Sequence, residues 1–137
     1  MSRYLGDKSA LARMHLAPVR ERLEPLIGRG LVSVCAATEY ELLYSAKGLD
    51  DYDRIKDVLL PAFPWAPMGE DPWQKALEIQ RELAKSGQHR CASMVDLLIC
   101  VVAAAERLTV LHYDRDFDTI AAVTGQPVEW IVPPGTV

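Results

Sequence analysis

Cysteine is scarce in this sequence and is not arranged in pairs. The three cysteines, Cys35, Cys91 and Cys100, are an odd number, and no two of them form a CxxC motif. Two of them lie inside apolar runs, where cysteine acts as a small hydrophobic side chain. The pattern argues against a disulfide-stabilised secreted domain and predicts reduced thiols in a cytoplasmic protein.

Long hydrophobic runs are also absent. The sequence has no signal peptide and no apolar stretch of about 18 residues, the length that a membrane-spanning helix needs. We therefore expect a protein that is neither secreted nor embedded in a membrane.

The sequence lacks an excess of positive charge. Its 15 lysines and arginines are outnumbered by 19 acidic residues, which gives a formal net charge of −4. A protein that binds nucleic acid mainly through a basic surface has the opposite balance. RNA can still be a substrate, because divalent cations bound to carboxylates reverse the local sign of a site.

Histidines in a zinc-binding spacing are missing. His15, His89 and His112 form neither an H-E-x-x-H motif nor a Cys–His pair, so zinc is set aside. Any metal held by this chain would be bound by carboxylate oxygens, which favours a hard cation, Mg²⁺ or Mn²⁺.

Short runs of β-forming residues alternate with longer helical patterns along the chain. This alternation predicts an α/β fold with a mainly parallel sheet of roughly five strands, flanked by helices. The length of 137 residues predicts a single domain, residues 1–137. The predicted strands are 3–6, 31–35, 63–66, 109–112 and 128–132. The predicted helices are 8–15, 19–27, 38–46, 51–60, 71–85, 95–107 and 117–123.

One of these helices contains an unexpected charge. The segment 94–105 is apolar apart from Asp96 in its first turn, and a helix that is apolar on all sides is buried. A buried carboxylate is costly unless it is paired, hydrogen-bonded or bound to a metal. Asp96 is therefore the most informative residue of the sequence.

Each acidic residue of interest also has an ordinary explanation. Asp7 follows the first strand, where aspartate is a good helix N-cap. Thr38-x-x-Glu41 and Ser93-x-x-Asp96 both match the capping box, in which two side chains bond two free backbone amides. Capping alone would account for all three acids.

The remaining acids lie after the fourth predicted strand and in the third predicted helix. Asp114 and Asp116 fall between a strand and a helix, where they can also act as caps. Glu39 competes with Glu41, but the two face well apart on a helix, so only one of them can face a common site.

Capping explains each acid singly but does not predict their arrangement. Asp7 and Asp114 come just after strands, and Glu41 and Asp96 lie at the start of helices that lead away from the sheet. In a parallel α/β sheet those positions share one edge, which is where such folds bind their ligands. Like charges gathered there repel one another unless a cation intervenes. This favours a metal site over splayed acids, and Mg²⁺ bound by carboxylates favours phosphodiester hydrolysis.

Four short motifs occur in order along the chain: Tyr4-Leu5-x-Asp7-x-Ser9-Ala10-Leu11, Glu41-Leu42-Leu43-Tyr44-x-Ala46, Asp96-Leu97-Leu98-Ile99 and Asp114-x-Asp116-Phe117. Together they resemble the VapC toxins of the PIN-domain family, nearly from end to end. The resemblance implies a three-layer αβα sandwich and a metal-dependent endoribonuclease that cleaves structured RNA such as tRNA. It also implies a homodimer that a cognate VapB-like antitoxin holds inactive.

The resemblance also assigns roles to residues. It implies that the metal ligands are Asp7, Glu41, Asp96 and Asp114, with Asp116 as an accessory or alternative ligand. Ser9 would support Asp7. The basic residues near the motifs are candidates for RNA contacts, although most surface cations are simply solvated. They are Lys8, Arg13, Lys47, Arg90 and Arg115.

Other classes of protein agree less well with the sequence. A haloacid-dehalogenase-like phosphatase needs a second aspartate where this chain has Ser9, and a response-regulator receiver needs an aspartate after the middle strand, where 63–66 supplies none. A PIN-fold nuclease outside a toxin–antitoxin pair stays open. So does a non-catalytic binding module on the same fold, although the intact set of acids argues against it.

Overall fold

The sheet consists of four parallel strands in a computed structural model that describes residues 3–137. The strands are β1 (Tyr4–Gly6), β2 (Val32–Ser33), β3 (Thr109–His112) and β4 (Val128–Trp130). Their order is β2-β1-β3-β4, with Leu5 paired to Ser33 on one side and to Val110 on the other. The predicted parallel α/β fold is confirmed.

Seven α-helices connect and cover the strands of residues 3–137. They are α1 (Lys8–Leu11), α2 (Ala17–Gly28), α3 (Ala36–Tyr44), α4 (Leu49–Arg54), α5 (Pro72–Ala84), α6 (Met94–Glu106) and α7 (Asp116–Thr124). Within this described range, no helix is both long enough and apolar enough to cross a membrane.

The sheet separates two hydrophobic cores, because neighbouring residues of a strand point to opposite faces. Leu5 and Val110 pack with the apolar side chains of α5, α6 and α7. Tyr4 and Leu111 pack on the other face with residues of α1 and α2. Helices therefore cover both faces, and the predicted three-layer αβα sandwich is confirmed.

The third predicted strand, 63–66, is reduced to one bridge between Val34 and Trp65. Two hydrogen bonds support it, from Val34 N to Pro64 O at 3.0 Å and from Ala66 N to Val34 O at 2.8 Å. Proline has no N–H to donate, and prolines at 61, 64 and 67 prevent a longer ladder here. The prediction of a full strand was wrong, and the segment lies beside β2 at the edge of the sheet.

Two predicted helices also differ from those observed. The helix predicted over 8–15 ends at Leu11, and its last residues form turns. The helix predicted over 51–60 begins at Leu49 and becomes a π-helical turn over Ile55–Leu59, then a 3₁₀ turn over Leu60–Ala62. Pro61 explains this change, because it lacks the N–H that would continue the α-helical hydrogen bonds.

Candidate metal centre

The acidic residues gather at the edge of the sheet where the central strands β1 and β3 end. Asp7 directly follows β1, and Asp114 comes two residues after β3. Glu41 lies on α3, and Asp96 lies in the first turn of α6. The predicted convergence at the carboxyl edge is therefore present in the fold.

Asp7 is the N-cap of α1 and is only 3% exposed. Its Oδ2 accepts hydrogen bonds from Ser9 N at 2.9 Å and from Ser9 Oγ at 2.6 Å. Its Oδ1 is buried and has no hydrogen-bond partner within residues 3–137. The predicted cap is confirmed, but it uses one oxygen and leaves the other for a ligand.

Ser9 joins the two loops that carry Asp7 and Asp114. Its hydroxyl donates to Asp7 and accepts a hydrogen bond from Tyr113 N at 2.8 Å. The backbone N–H of Asp7 donates to Leu111 O at 3.0 Å, which ties the same loop to β3. This geometry agrees with the predicted supporting role of Ser9.

Glu41 is brought to the site by a contact that differs from the predicted one. Helix α3 begins at Ala36 with Cys35 as its N-cap, so Thr38 lies inside the helix and forms no capping box. The buried Thr38 hydroxyl donates instead to Gly6 O at 2.9 Å. This bond fixes α3 against the end of β1, beside Asp7. Glu39 faces away and pairs with Lys56 at 3.5 Å.

We expect Thr38→Val to lower the free energy of unfolding by about 1–2 kcal/mol, because it removes a buried hydroxyl donor without changing the side-chain volume much. Chemical denaturation measures this change. Thr119→Val is the matched control, because Thr119 is half-buried on α7 and its hydroxyl makes no hydrogen bond within the described residues. An equal loss in both variants would show that the Gly6 contact is unimportant.

Asp96 has the predicted capping box with Ser93. Ser93 N donates to Asp96 Oδ2 at 3.3 Å, and Asp96 N donates to Ser93 Oγ at 3.2 Å. Asp96 is 7% exposed in an otherwise apolar helix. The box bonds one carboxylate oxygen, so the other is available to the cluster.

The carboxylates form two triads that share Asp96. In the first triad, Asp7, Glu41 and Asp96 each offer an oxygen within 4.8 Å of the others. In the second, Asp96, Asp114 and Asp116 do the same. The sequence analysis expected one set of ligands, Asp7, Glu41, Asp96 and Asp114, with Asp116 as an accessory, whereas the geometry groups Asp114 with Asp96 and Asp116.

Burial and mutual repulsion make the ionised carboxylates of this cluster unfavourable without a cation or bound protons. The pKa of Asp96 is raised to about 7, mainly by burial and then by the negative charge of the neighbouring Asp7. Burial is also the main cause of the raised pKa values of Asp7 and Glu41, and Glu41 is further raised by Asp7. The pKa of Asp116 is raised by burial and then by Asp114. A bound cation would offset the cost of burying these carboxylates and the repulsion between them.

Asp114 is oriented by its own backbone neighbours. Its Oδ1 accepts a hydrogen bond from Asp116 N at 2.9 Å, and its N–H donates to Nδ1 of the buried His112 at 3.1 Å. The His112 ring packs against Phe117 and Trp130. Burial lowers the pKa of His112, which agrees with a neutral ring whose Nδ1 accepts a hydrogen bond.

Four of the five acids line a cleft of about 560 Å³, namely Asp7, Glu41, Asp96 and Asp114, whereas Asp116 does not. Three of the five basic residues proposed for RNA, Lys8, Arg13 and Arg115, also line it, whereas Lys47 and Arg90 do not. Sequence reasoning gave no site role to Tyr113, which lines the cleft too; its position directly before Asp114 was the available signal.

A larger cavity of about 1140 Å³ lies at the opposite end of the fold, among residues of α5, α6 and α7. Neither carboxylate triad borders it. The smaller cleft is therefore the candidate site. Its donors fit a hard divalent cation, because they are all oxygens and one of them, Asp7 Oδ1, is buried without a partner.

The fold and the site define a parallel α/β protein with a carboxylate-lined cleft suited to metal binding. A model of the PIN domain matches residues 4–123. Ribonuclease VapC21 of Mycobacterium tuberculosis (strain ATCC 25618 / H37Rv) is 44% identical over 135 residues, covering 98% of each chain. Ribonuclease VapC51 of the same strain is 43% identical, covering 98% of this chain and 97% of the relative. The chain belongs to the PIN-domain family and, within it, to the VapC ribonucleases.

Solved structures agree with this fold. DNA-bound VapBC from Salmonella typhimurium superposes with a TM-score of 0.75 at 18% identity, covering 96% of this chain and all of that one. VapBC-5 from Mycobacterium tuberculosis superposes with a TM-score of 0.59 at 25% identity, covering 95% of this chain and 98% of that one. Metal dependence is a property of PIN ribonucleases, and the acidic cluster here could bind a metal.

Proposed function

We propose that this protein is an endoribonuclease that depends on Mg²⁺ or Mn²⁺ and acts as the toxin of a type II toxin–antitoxin pair. One observation carries the proposal. Carboxylates from four separate segments meet in one cleft, in a chain that is 44% identical to a VapC ribonuclease over nearly its whole length. Structured RNA such as tRNA is the proposed substrate.

Asp7, Glu41 and Asp96 would hold the ion, with Asp114 and Asp116 as ligands of the same ion or of a second one. When bound, such an ion lowers the pKa of a water molecule and stabilises charge on the phosphate oxygens. The all-oxygen donor set supports Mg²⁺ or Mn²⁺ as the ion.

The chain's own residues position these ligands. Ser9 holds Asp7 by two hydrogen bonds, Ser93 holds Asp96, and the Thr38 hydroxyl fixes the helix that carries Glu41. Lys8, Arg13 and Arg115 place positive charge along the same cleft, where an RNA phosphate would approach. Lys47 and Arg90 lie outside that cleft and are weaker candidates.

The proposed partner is a VapB-like antitoxin that covers the cleft. The solved structures that resemble this chain include VapBC complexes, which supports such a partner. We further propose a homodimer of a single-domain chain, residues 1–137, acting in the cytoplasm. A PIN nuclease without an antitoxin is the alternative, and a neighbouring gene for a short DNA-binding protein would argue against it.

The test is incubation of the purified protein with total tRNA in Mg²⁺, in Mn²⁺ or in EDTA. We expect specific cleavage with either ion and none in EDTA. The products should carry a 3′-hydroxyl and a 5′-phosphate, because water is the proposed nucleophile. Cleavage that survives EDTA, or a cyclic phosphate product, would contradict the proposal.

A further inference from the structure

Arg13 and Tyr113 form a stacked pair on the wall of the acidic cleft. The guanidinium carbon of Arg13 lies 4.6 Å from the centroid of the Tyr113 ring. Both side chains are half-buried and both line the cleft beside Asp7 and Asp114. The pair therefore presents partly exposed planar groups next to the candidate metal ligands.

The pair is tied to the metal centre through Ser9. Arg13 donates to Ser9 O at 2.7 Å, and Tyr113 N donates to Ser9 Oγ at 2.8 Å. The same hydroxyl donates to Asp7 at 2.6 Å. Arg13, Tyr113 and Asp7 thus share one anchor, which fixes the stacked pair relative to the ligand Asp7.

The Tyr113 ring is held from the outer side as well. It packs edge-on against Trp130, with the ring centroids 5.3 Å apart and the planes at 87°. Its hydroxyl accepts a hydrogen bond from Gly135 N at 2.9 Å and donates to Val137 O at 3.1 Å. The aromatic ring is therefore ordered before any ligand binds.

Arg13 is not the counter-ion of the acidic cluster. Within residues 3–137, no carboxylate lies within ion-pairing distance of its guanidinium. The guanidinium has five N–H donors, and the bond to Ser9 O uses one of its nitrogens. One side of the guanidinium plane packs against Tyr113, and within residues 3–137 its other donors make no further hydrogen bond.

We propose that Arg13 and Tyr113 form a stacking platform for an unpaired RNA base adjacent to the phosphate that the acidic cluster cleaves. This inference rests on the proposed ribonuclease function and assigns a substrate contact to two residues of this cleft. Proteins that read single-stranded RNA stack its bases on aromatic rings and on arginine planes. A base within a continuous duplex could not reach this platform, so cleavage requires a loop or another unpaired nucleotide.

A charge contact alone would not need this arrangement. Lys8 and Arg115 already bring positive charge to the cleft, and within residues 3–137 neither of them stacks on an aromatic ring. Lysine can replace arginine as a point charge but not as a planar group. The variant Arg13→Lys therefore separates stacking from simple attraction of a phosphate.

The first measurement is steady-state cleavage of an RNA whose cleavage site has been mapped with the wild-type protein. We expect Arg13→Lys and Tyr113→Leu to lower kcat/KM about tenfold, mainly through a higher KM. Arg29→Lys is the matched control, because Arg29 is exposed at the end of α2, and it should cleave like the wild type. Thermal unfolding of each variant detects any loss of fold.

The second measurement reports stacking directly. Single-stranded oligonucleotides of the mapped site carry one 2-aminopurine at successive positions and are bound to protein with the Asp7→Asn substitution, which is expected not to cleave them. One position beside the cleavage site should show quenched fluorescence, and adding Arg13→Lys should remove at least half of that quenching.

The outcomes separate the two proposals. If the wild type cleaves RNA but Arg13→Lys keeps both its KM and its quenching, the stacking platform is wrong and the ribonuclease function stands. Equal cleavage of a continuous duplex and of a loop by the wild type would also overturn the platform. If the wild type cleaves no RNA at all, both proposals fail.

Discussion

Replacing Asp7 by asparagine should reduce RNA cleavage by roughly 10³-fold or more while the protein stays folded. The asparagine carbonyl can still accept the hydrogen bonds from Ser9 N and Ser9 Oγ. The amide nitrogen would then replace the buried, unpartnered Oδ1, and an NH₂ group cannot ligate a cation. The variant thus removes one ligand and leaves the cap of α1 in place.

The measurement is the single-turnover cleavage rate in Mg²⁺, with the melting temperature in EDTA as the check on folding. Burial raises the pKa of Asp7, so a neutral amide should cost the metal-free fold nothing. Asp53→Asn is the control, because Asp53 is exposed on α4, away from both triads. A variant at Asp7 that cleaves within tenfold of the wild type would show that Asp7 is not a ligand.

The sequence predicted the position of the acidic residues better than it predicted the strands of the sheet. The site depends on where strands end, and the residues that follow a strand are fixed by topology even when the strand itself is very short. Strand β2 has only two residues and β1 has three, yet Asp7 still lies at the shared edge. Errors of one or two residues in a strand boundary do not move an acid to another edge.

The errors arose where a local pattern competed with a tertiary contact. Thr38-x-x-Glu41 matches a capping box, but the Thr38 hydroxyl bonds Gly6 O instead. That bond joins residues 32 positions apart, and no local pattern reveals it. Ser93-x-x-Asp96, a motif of the same form, does form the box, so the motif alone could not distinguish the two cases.

The grouping of the acids was also beyond sequence reasoning. Patterns show that Asp7, Asp96 and Asp114 reach one edge, but oxygen positions depend on side-chain rotamers and on hydrogen bonds such as that from Asp116 N to Asp114. Tyr113 was missed for a similar reason. Its role depends on Arg13, which lies a hundred positions away along the chain and meets it only after folding.

The stability of the metal-free protein should fall as the pH rises from about 4 to about 7, with Asp96 as the main cause. The folded protein keeps the Asp96 proton up to a pKa of about 7, whereas the unfolded chain loses it near the ordinary aspartate pKa of 3.8. Because the folded state binds more protons in this window, the stabilising contribution of Asp96 is fully present below pH 4 and is lost as the pH rises through 7. Asp7 and Glu41 are shifted in the same direction.

Asp96→Asn isolates this contribution, because asparagine has no proton to lose. In EDTA, the variant should gain on the order of 2–4 kcal/mol in unfolding free energy relative to the wild type between pH 4 and pH 7.5. Chemical denaturation at several pH values measures this difference, and effects of distant groups cancel in the comparison. A difference that is constant with pH would show that Asp96 titrates normally.

Mg²⁺ or Mn²⁺ should reverse this trend in the wild type. An ion binds the ionised carboxylates of the folded protein, so it competes with the Asp96 proton and stabilises more strongly as the pH rises. We expect a larger increase in melting temperature at pH 7.5 than at pH 5.5, and a much smaller increase in Asp96→Asn, because Asp96 belongs to both triads. An equal increase in the variant would place the ion elsewhere, since no arrangement at this cleft avoids the residue that the two triads share.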